Sequence, residues 1–318
     1  MGLFTRTRAR SELARRIARL ERVLQLDAIV SQTNGPGQIA EHYENCFGTY
    51  RRRHSSEGSL HLALNEGQRF DPAGFGGQAG RLLQLWSAQP HASVLELGFG
   101  QGYNLTWLAQ RLPGTQLAGV DITPGHVAHV HQMLAGRGLG QVDARQGDFH
   151  ALPWADASFD QVFSIEAFCY ARDQRQALTE AARVLRPGGC LALIDGYLTR
   201  PPAAMQPDEA RSALLAARGM AMEGIPVADE LLQAAAEVGL VLERRTTLDA
   251  QVMPDVRRHE RMLGMFVRWP WLARRLLARM NPLVMRNILA GYLMGPAMER
   301  GIWTYQELVL RKPGLASP

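Results

Sequence analysis

Three glycines alternate with other residues in the run Val94-Leu95-Glu96-Leu97-Gly98-Phe99-Gly100-Gln101-Gly102-Tyr103-Asn104, straight after a short apolar stretch. A backbone that must turn sharply and admit a ligand at close range needs glycine there. Seventeen residues past Asn104 stands Asp121, at the end of a second apolar run, Leu117-Ala118-Gly119-Val120. An acidic residue roughly 20 positions past a glycine-rich turn is what a strand–helix–strand unit presents to the hydroxyls of a ribose. Together they predict an adenosine-containing ligand.

The alternation around this run is regular. Strands are expected at 93–97, 116–120, 142–146, 160–165 and 190–195, the last after the turn Pro187-Gly188-Gly189. Helices are expected between them near 102–111, 124–137 and 174–185. Apolar strands separated by helices of this length imply an α/β fold, a Rossmann-like doubly wound sheet with its ligand at the carboxyl ends of the strands. Before it, Leu13, Ile17, Leu20 and Leu24 form one helical stripe opposite an arginine-rich face. That helix either docks on the body of the protein, with its arginines solvated, or rests on an anionic membrane surface or covers a hydrophobic substrate. Further helices are expected at Ile39–Tyr50 and 78–89. After residue 200 a helix is read at 229–238, a strand at 239–246 and a last strand at 307–310. A Met-rich helical stretch at 255–300 is expected to be interrupted by Pro270, Pro282 and Pro296. The chain thus divides into an N-terminal helical arm and lid (1–80), a ligand-binding core (81–200), and a part that completes the sheet and adds a helical cap over about 250–302 (201–318).

Charge and cysteine usage narrow the class. The net charge is +5, with arginines clustered at 6–22 and 257–279. They are not interleaved with aromatics as on a nucleic-acid platform, so no nucleic acid partner is expected. Cys46, Cys169 and Cys190 are widely spaced and read as free thiols in a reducing cytoplasm. No membrane span and no signal peptide is read. His126, His129 and His131 lack a matched carboxylate, and no metal is expected.

The glycine motif reads Glu-x-Gly-x-Gly-x-Gly, with Glu96 inside it and no lysine after it. A carboxylate at that point repels a pyrophosphate but accepts from an ammonium, which favours S-adenosylmethionine over a dinucleotide. Three later segments agree: Gln146-Gly147-Asp148-Phe149, Phe159 to Glu166, and Arg183 to Gly189. In this order and spacing the set resembles the class I S-adenosylmethionine-dependent methyltransferases over about 93–196. Ser164-Ile165-Glu166-Ala167-Phe168-Cys169-Tyr170-Ala171-Arg172-Asp173 is similar to a stretch of the sterol C-methyltransferases and their small-molecule relatives, with Tyr170 and Arg172 in place of that family's histidine and proline. The aromatic-rich N-terminal box of those enzymes is matched weakly by Tyr50 and Ser59-Leu60-His61-Leu62.

The resemblance implies that Glu96, Gly98, Gly100, Gly102 and Asn104 hold the methionine side of the cofactor. It implies Asp121 on the ribose, Ile122, Gly147, Asp148 and Phe149 around the adenine, and Ile165 and Tyr50 along the same pocket. S-adenosyl-L-homocysteine is then the product. Glu166, ending a strand where the pocket opens, is the candidate base. Tyr170 is a candidate for orienting substrate or steadying a cation, and His61 is an alternative base from the lid. The apolar 255–300 stretch and the basic N-terminal helix point to a hydrophobic small molecule such as a terpenoid, polyketide, quinone or lipid-like product. C-methylation is favoured, with O-methylation, a non-methylating cyclase and a dinucleotide oxidoreductase as alternatives. Peripheral membrane contact through the N-terminal helix and a homodimer stay open.

Overall fold

The computed structural model describes residues 11–32, 35–86 and 93–314. Arg6, Arg8 and Arg10 and the end of the helix expected at 78–89 lie outside them. The first described helix is α1 (Glu12–Glu21), started by Ser11, whose hydroxyl accepts from Ala14 N at 3.1 Å. Its stripe of Leu13, Ile17 and Leu20 is fully buried. Next come α2 (Leu26–Val30), α3 (Pro36–Arg53) and α4 (Gly77–Trp86).

The sheet begins with β1 (Ser93–Leu97), buried along its whole length, as expected of a strand covered by helices on both faces. It is followed by α5 (Tyr103–Ala109), β2 (Gln116–Asp121), α6 (Pro124–Gly136), β3 (Asp143–Gln146), β4 (Phe159–Ile165), α7 (Gln174–Val184) and β5 (Leu185–Leu198). Then come α8 (Pro207–Gly219), α9 (Ala228–Glu237), β6 (Val241–Thr247), α10 (Asp249–Val267), α11 (Pro270–Leu277), α12 (Pro282–Glu299) and β7 (Trp303–Arg311). The seven strands form one sheet in the order β3-β2-β1-β4-β5-β7-β6, with β7 antiparallel between β5 and β6. Strand order reverses between β1 and β4, which puts the ligand crevice at the carboxyl ends of those strands.

Three expectations are corrected. Pro187-Gly188-Gly189 lies inside β5 rather than before it, at a register slip between β4 and β5. Gly188 takes φ +79°, and its N–H donates to Lys312 O beyond β7. The helix α8 lies where no element was expected. Of the three prolines read as interruptions, Pro270 and Pro282 open α11 and α12, while Pro296 sits inside α12. A proline there removes the bond to the carbonyl four residues back. That carbonyl, Tyr292 O, instead accepts from Arg16 Nη1 at 2.9 Å. The guanidinium of α1 replaces the missing rung and pins α1 to α12.

The packing of α1 shows where its apolar face goes. Its apolar stripe faces the body of the protein, while Arg15 and Arg16 pair with Glu12, Arg16 also with Glu260, and Arg19 with the Tyr292 hydroxyl. The stripe is therefore docked and not available to a membrane.

Candidate active site

Each parallel strand delivers one functional element at its carboxyl end. After β1 the glycine loop turns with φ +77° at Gly98, +54° at Gly100 and +78° at Gly102. A Cβ at Gly98 would stand 2.3 Å from Ala167 Cβ, so only hydrogen fits between this loop and the one after β4. At the end of β2, Asp121 Oδ2 accepts from Gly100 N and Oδ1 from Thr123 N, both at 2.8 Å. The carboxylate thereby ties the loop to β2 and keeps lone pairs for a ligand. After β3 come Gly147, Asp148 and Phe149, and after β4 comes Glu166.

Gly98, Gly100, Asp121, Ile122, Gly147, Asp148, Phe149, Ile165 and Glu166 line one groove with His61 and Tyr170. Four of the residues assigned to the cofactor do not line it. Glu96 is 1% exposed beneath the loop, where its Oε1 accepts from Asn104 Nδ2 at 3.0 Å, and burial pushes its carboxyl up to about 8. Asn104 bridges Glu96 to His61, and Gly102 is packed under Val130 and Met133 of α6. These three shape the loop from behind. Tyr50, at the end of α3, faces the two recesses beyond the groove. Asp148 Oδ1 accepts from the backbone N–H of His150, and the imidazole Nδ1 lies against the same oxygen.

His61 is poorly placed as a base. Its Nδ1 faces Leu62 O at 3.1 Å and its Nε2 faces Asn104 Oδ1 at 3.2 Å, and burial lowers its pKa. Neither nitrogen is left for a substrate proton. Tyr170 is held by its hydroxyl, which donates to Met220 O at 2.8 Å and lies 2.9 Å from the Tyr43 hydroxyl. The face of its ring is what remains for a ligand.

Glu166 borders all three recesses: the groove, a middle recess with Asp195 and Tyr305, and a large apolar cavity. Its backbone is left-handed, φ +47°, a strained state for a side-chain-bearing residue. Oε1 accepts from Leu62 N at 2.8 Å and from the Tyr305 hydroxyl at 2.7 Å. Burial, then the Asp195 carboxylate, push its pKa up to about 8. The cavity beyond it has a volume of ≈ 640 Å³ and is walled chiefly by α10 and α12, with the end of α3 and Leu276 of α11; Met262, Phe266, Ile288 and Met294 are among its apolar lining.

Several site residues had no clear signal in the sequence. Tyr305 reaches Glu166 from β7, across 139 positions. Asp195 accepts from Cys169 N at 3.1 Å, and burial raises its pKa to about 6. Its place at the end of an apolar strand was the one available hint. His126 lines the groove 2% exposed, and neither ring nitrogen has a hydrogen-bond partner among the described residues. His54, Asp255 and His259 bring ligand atoms within 4.8 Å of one another. Arg258 Nη2 stands 3.4 Å from His54 Nδ1 and 3.3 Å from His259 Nε2, where a cation would sit.

The groove fits S-adenosylmethionine better than a dinucleotide. Asp121, Asp148 and Glu166 face it with Arg172 as its one guanidinium, a donor set suited to hydroxyls, an amine and a sulfonium rather than to phosphates. Residues 95–193 match the methyltransferase domain family. The chain is 32% identical over 161 residues to 24-methylenesterol C-methyltransferase 2 of Oryza sativa subsp. japonica, covering 50% of this chain and 44% of that enzyme. It is 36% identical over 103 residues to Methyltransferase GfsG of Streptomyces halstedii, covering 32% and 37%. The chain spans under half the length of these curated relatives. Among solved structures, the [4+2]-cyclase SpnF matches at TM-score 0.71 with 17% identity, covering 89% of this chain and 98% of that one. A geranyl diphosphate methyltransferase in complex with GPP and sinefungin matches at 0.67 with 17% identity, covering 87% and 98%. Residues 95–193 thus match a methyltransferase domain, and the chain as a whole shares the fold of these solved structures.

Proposed function

We propose that the protein methylates a bulky apolar small molecule of terpenoid, polyketide, quinone or lipid-like character, at carbon in preference to oxygen, with Glu166 as general base. The observation that carries this reading is the position of Glu166, the one ionisable group shared by the cofactor groove and the ≈ 640 Å³ apolar cavity. Bound S-adenosylmethionine supplies an already activated methyl group, so the protein's work is to place the acceptor, keep the site dry and remove a proton. The cavity does the first two. Its walls are methionine, leucine and phenylalanine side chains that adapt to an irregular apolar body.

Glu166 does the third. A carbon acceptor becomes a cation on methylation and must lose a proton, whereas an acidic phenol or carboxyl needs little help. A carboxyl poised at about 8 is a far stronger base when ionised than an ordinary glutamate. Leu62 N and the Tyr305 hydroxyl fix one of its oxygens, which leaves the other to face the acceptor. The Tyr170 ring, held edge-on by Tyr43, borders the same junction and offers a π face to a developing cation. Residues 250–302 act in this reading as the cap over the acceptor, and residues 1–80 as the lid.

The test follows a labelled methyl group from the cofactor into an organic extract of apolar metabolites. Label must appear in an apolar product with the wild type and not with Glu166→Gln, while both bind the cofactor equally. Cofactor binding with no transfer to any extract would favour the non-methylating cyclase reading. Undiminished turnover by Glu166→Gln would remove Glu166 from the chemistry.

A further inference from the structure

We infer that the corner formed by the end of α10 and by α11 docks onto an anionic lipid surface, and that the apolar cavity opens through the docked face. Met265, Trp269, Trp271 and Leu272 are large apolar side chains left in water there; Trp271 and Met265 are each 68% exposed and Trp269 is 54% exposed. The helix α11 turns Ala273 and Leu277 inward, so Trp271, Leu272 and Arg275 are directed away from the body. A contiguous apolar face of this kind marks an interaction site rather than ordinary surface. Tryptophans with arginines around them suit the boundary between headgroups and acyl chains.

Charge selects the occupant. From Arg261 to Met298 the chain holds Arg261, Arg268, Arg274, Arg275, Arg279 and Arg286, and no aspartate or glutamate. Among the described residues, no ion pair is formed by Arg261, Arg275 or Arg279. A second copy of the chain would bring the same positive corner against itself. An anionic membrane complements it.

The cavity supplies the second observation. Met262, Leu276 and Met280 are each about two-fifths exposed and at the same time line the cavity, with Arg279 on its rim. An apolar molecule could therefore pass from the bilayer to Glu166 without crossing water. No described helix is long and apolar enough to cross a membrane, so contact is with one leaflet. Membrane contact through the N-terminal helix was one reading left open by the sequence; the contact inferred here lies on α10 and α11 instead.

The experiment is flotation of the full chain with phosphatidylcholine vesicles, alone or with a third of the lipid replaced by phosphatidylglycerol. The wild type should partition at least tenfold more onto the anionic vesicles, and brominated acyl chains should quench its tryptophan emission. Trp269→Ser with Trp271→Ser should abolish flotation and quenching; Arg268→Glu with Arg275→Glu should erase the preference for anionic lipid. Cofactor binding, measured by calorimetry, should be unchanged in both, which shows that they fold. Absence of flotation, equal flotation of the tryptophan variant, or a dimer in solution that this variant dissolves would each overturn the inference. None of these readouts depends on methyl transfer, so the docking surface and the proposed reaction stand or fall separately.

Discussion

Glu166→Gln separates the two consequences of a buried acid. The wild-type carboxyl has an ordinary value of 4.5 and is pushed up to about 8 in the folded protein, mainly by burial. At ~1.36 kcal/mol per pH unit, that rise sets a ceiling of about 5 kcal/mol on the folding stability lost when the carboxyl must ionise. Glu166 is only partly buried, so roughly half of the ceiling, about 2.5 kcal/mol, is the expected cost. The direction follows from the raised value. The stabilising neutral form is fully present in both states below about 4.5, and its contribution is lost as pH rises through about 8. Glutamine keeps an oxygen to accept from Leu62 N and the Tyr305 hydroxyl but never ionises. Urea unfolding of the two proteins from acid to alkaline pH should show similar stability near pH 4, a gap that opens in favour of the variant, and a plateau above about 8. The same variant should lose roughly 10²–10⁴ in turnover. A stability difference that does not vary with pH, together with undiminished turnover, would refute the assignment of a neutral, poised carboxyl to Glu166.

Other perturbations test the parts that hold this site. Tyr305→Phe removes a donor to Glu166 Oε1 that lowers its pKa, so the rising limb of the pH–rate profile should move to higher pH while cofactor affinity holds. Asp121→Ala leaves the Gly100 and Thr123 N–H groups without their acceptor, and should cost about 2–4 kcal/mol of stability and weaken cofactor binding at least tenfold; titration calorimetry reads the second. Gly98→Ala forces a Cβ to within 2.3 Å of Ala167 Cβ in a left-handed turn. It should cost more than the ~1–2 kcal/mol of the backbone conformation alone and displace the neighbouring Glu166, so stability and turnover should both fall.

What the sequence made legible was local. Gly98, Gly100 and Asp121 announce themselves because a turn, a close approach and a strand end each demand a residue type within a short span. The strand–helix alternation from β1 to β5 carries its own period. The acid–base partner was not legible in that way. Tyr305 lies on an antiparallel strand that enters the sheet between β5 and β6, and no local rule ties it to Glu166. Glu96 sits in the right motif but points beneath the loop, since alternate residues of a strand face opposite sides, and Asn104, in the first turn of α5, is buried against it. Pro296 was read as a break because the usual rule counts only the helix's own bonds; the replacement donor came from Arg16, 276 positions from the freed Tyr292 carbonyl.

That replacement reaches further than one rung. One wall of the large apolar cavity is a helix with a defect near its C-terminal end, and the patch over the defect comes from a helix near the opposite end of the polypeptide. Any change that loosens α1, such as loss of the Arg16 guanidinium, would leave an unsatisfied oxygen within that wall. The arm that touches no ligand thereby sets how firmly the chamber stays shut.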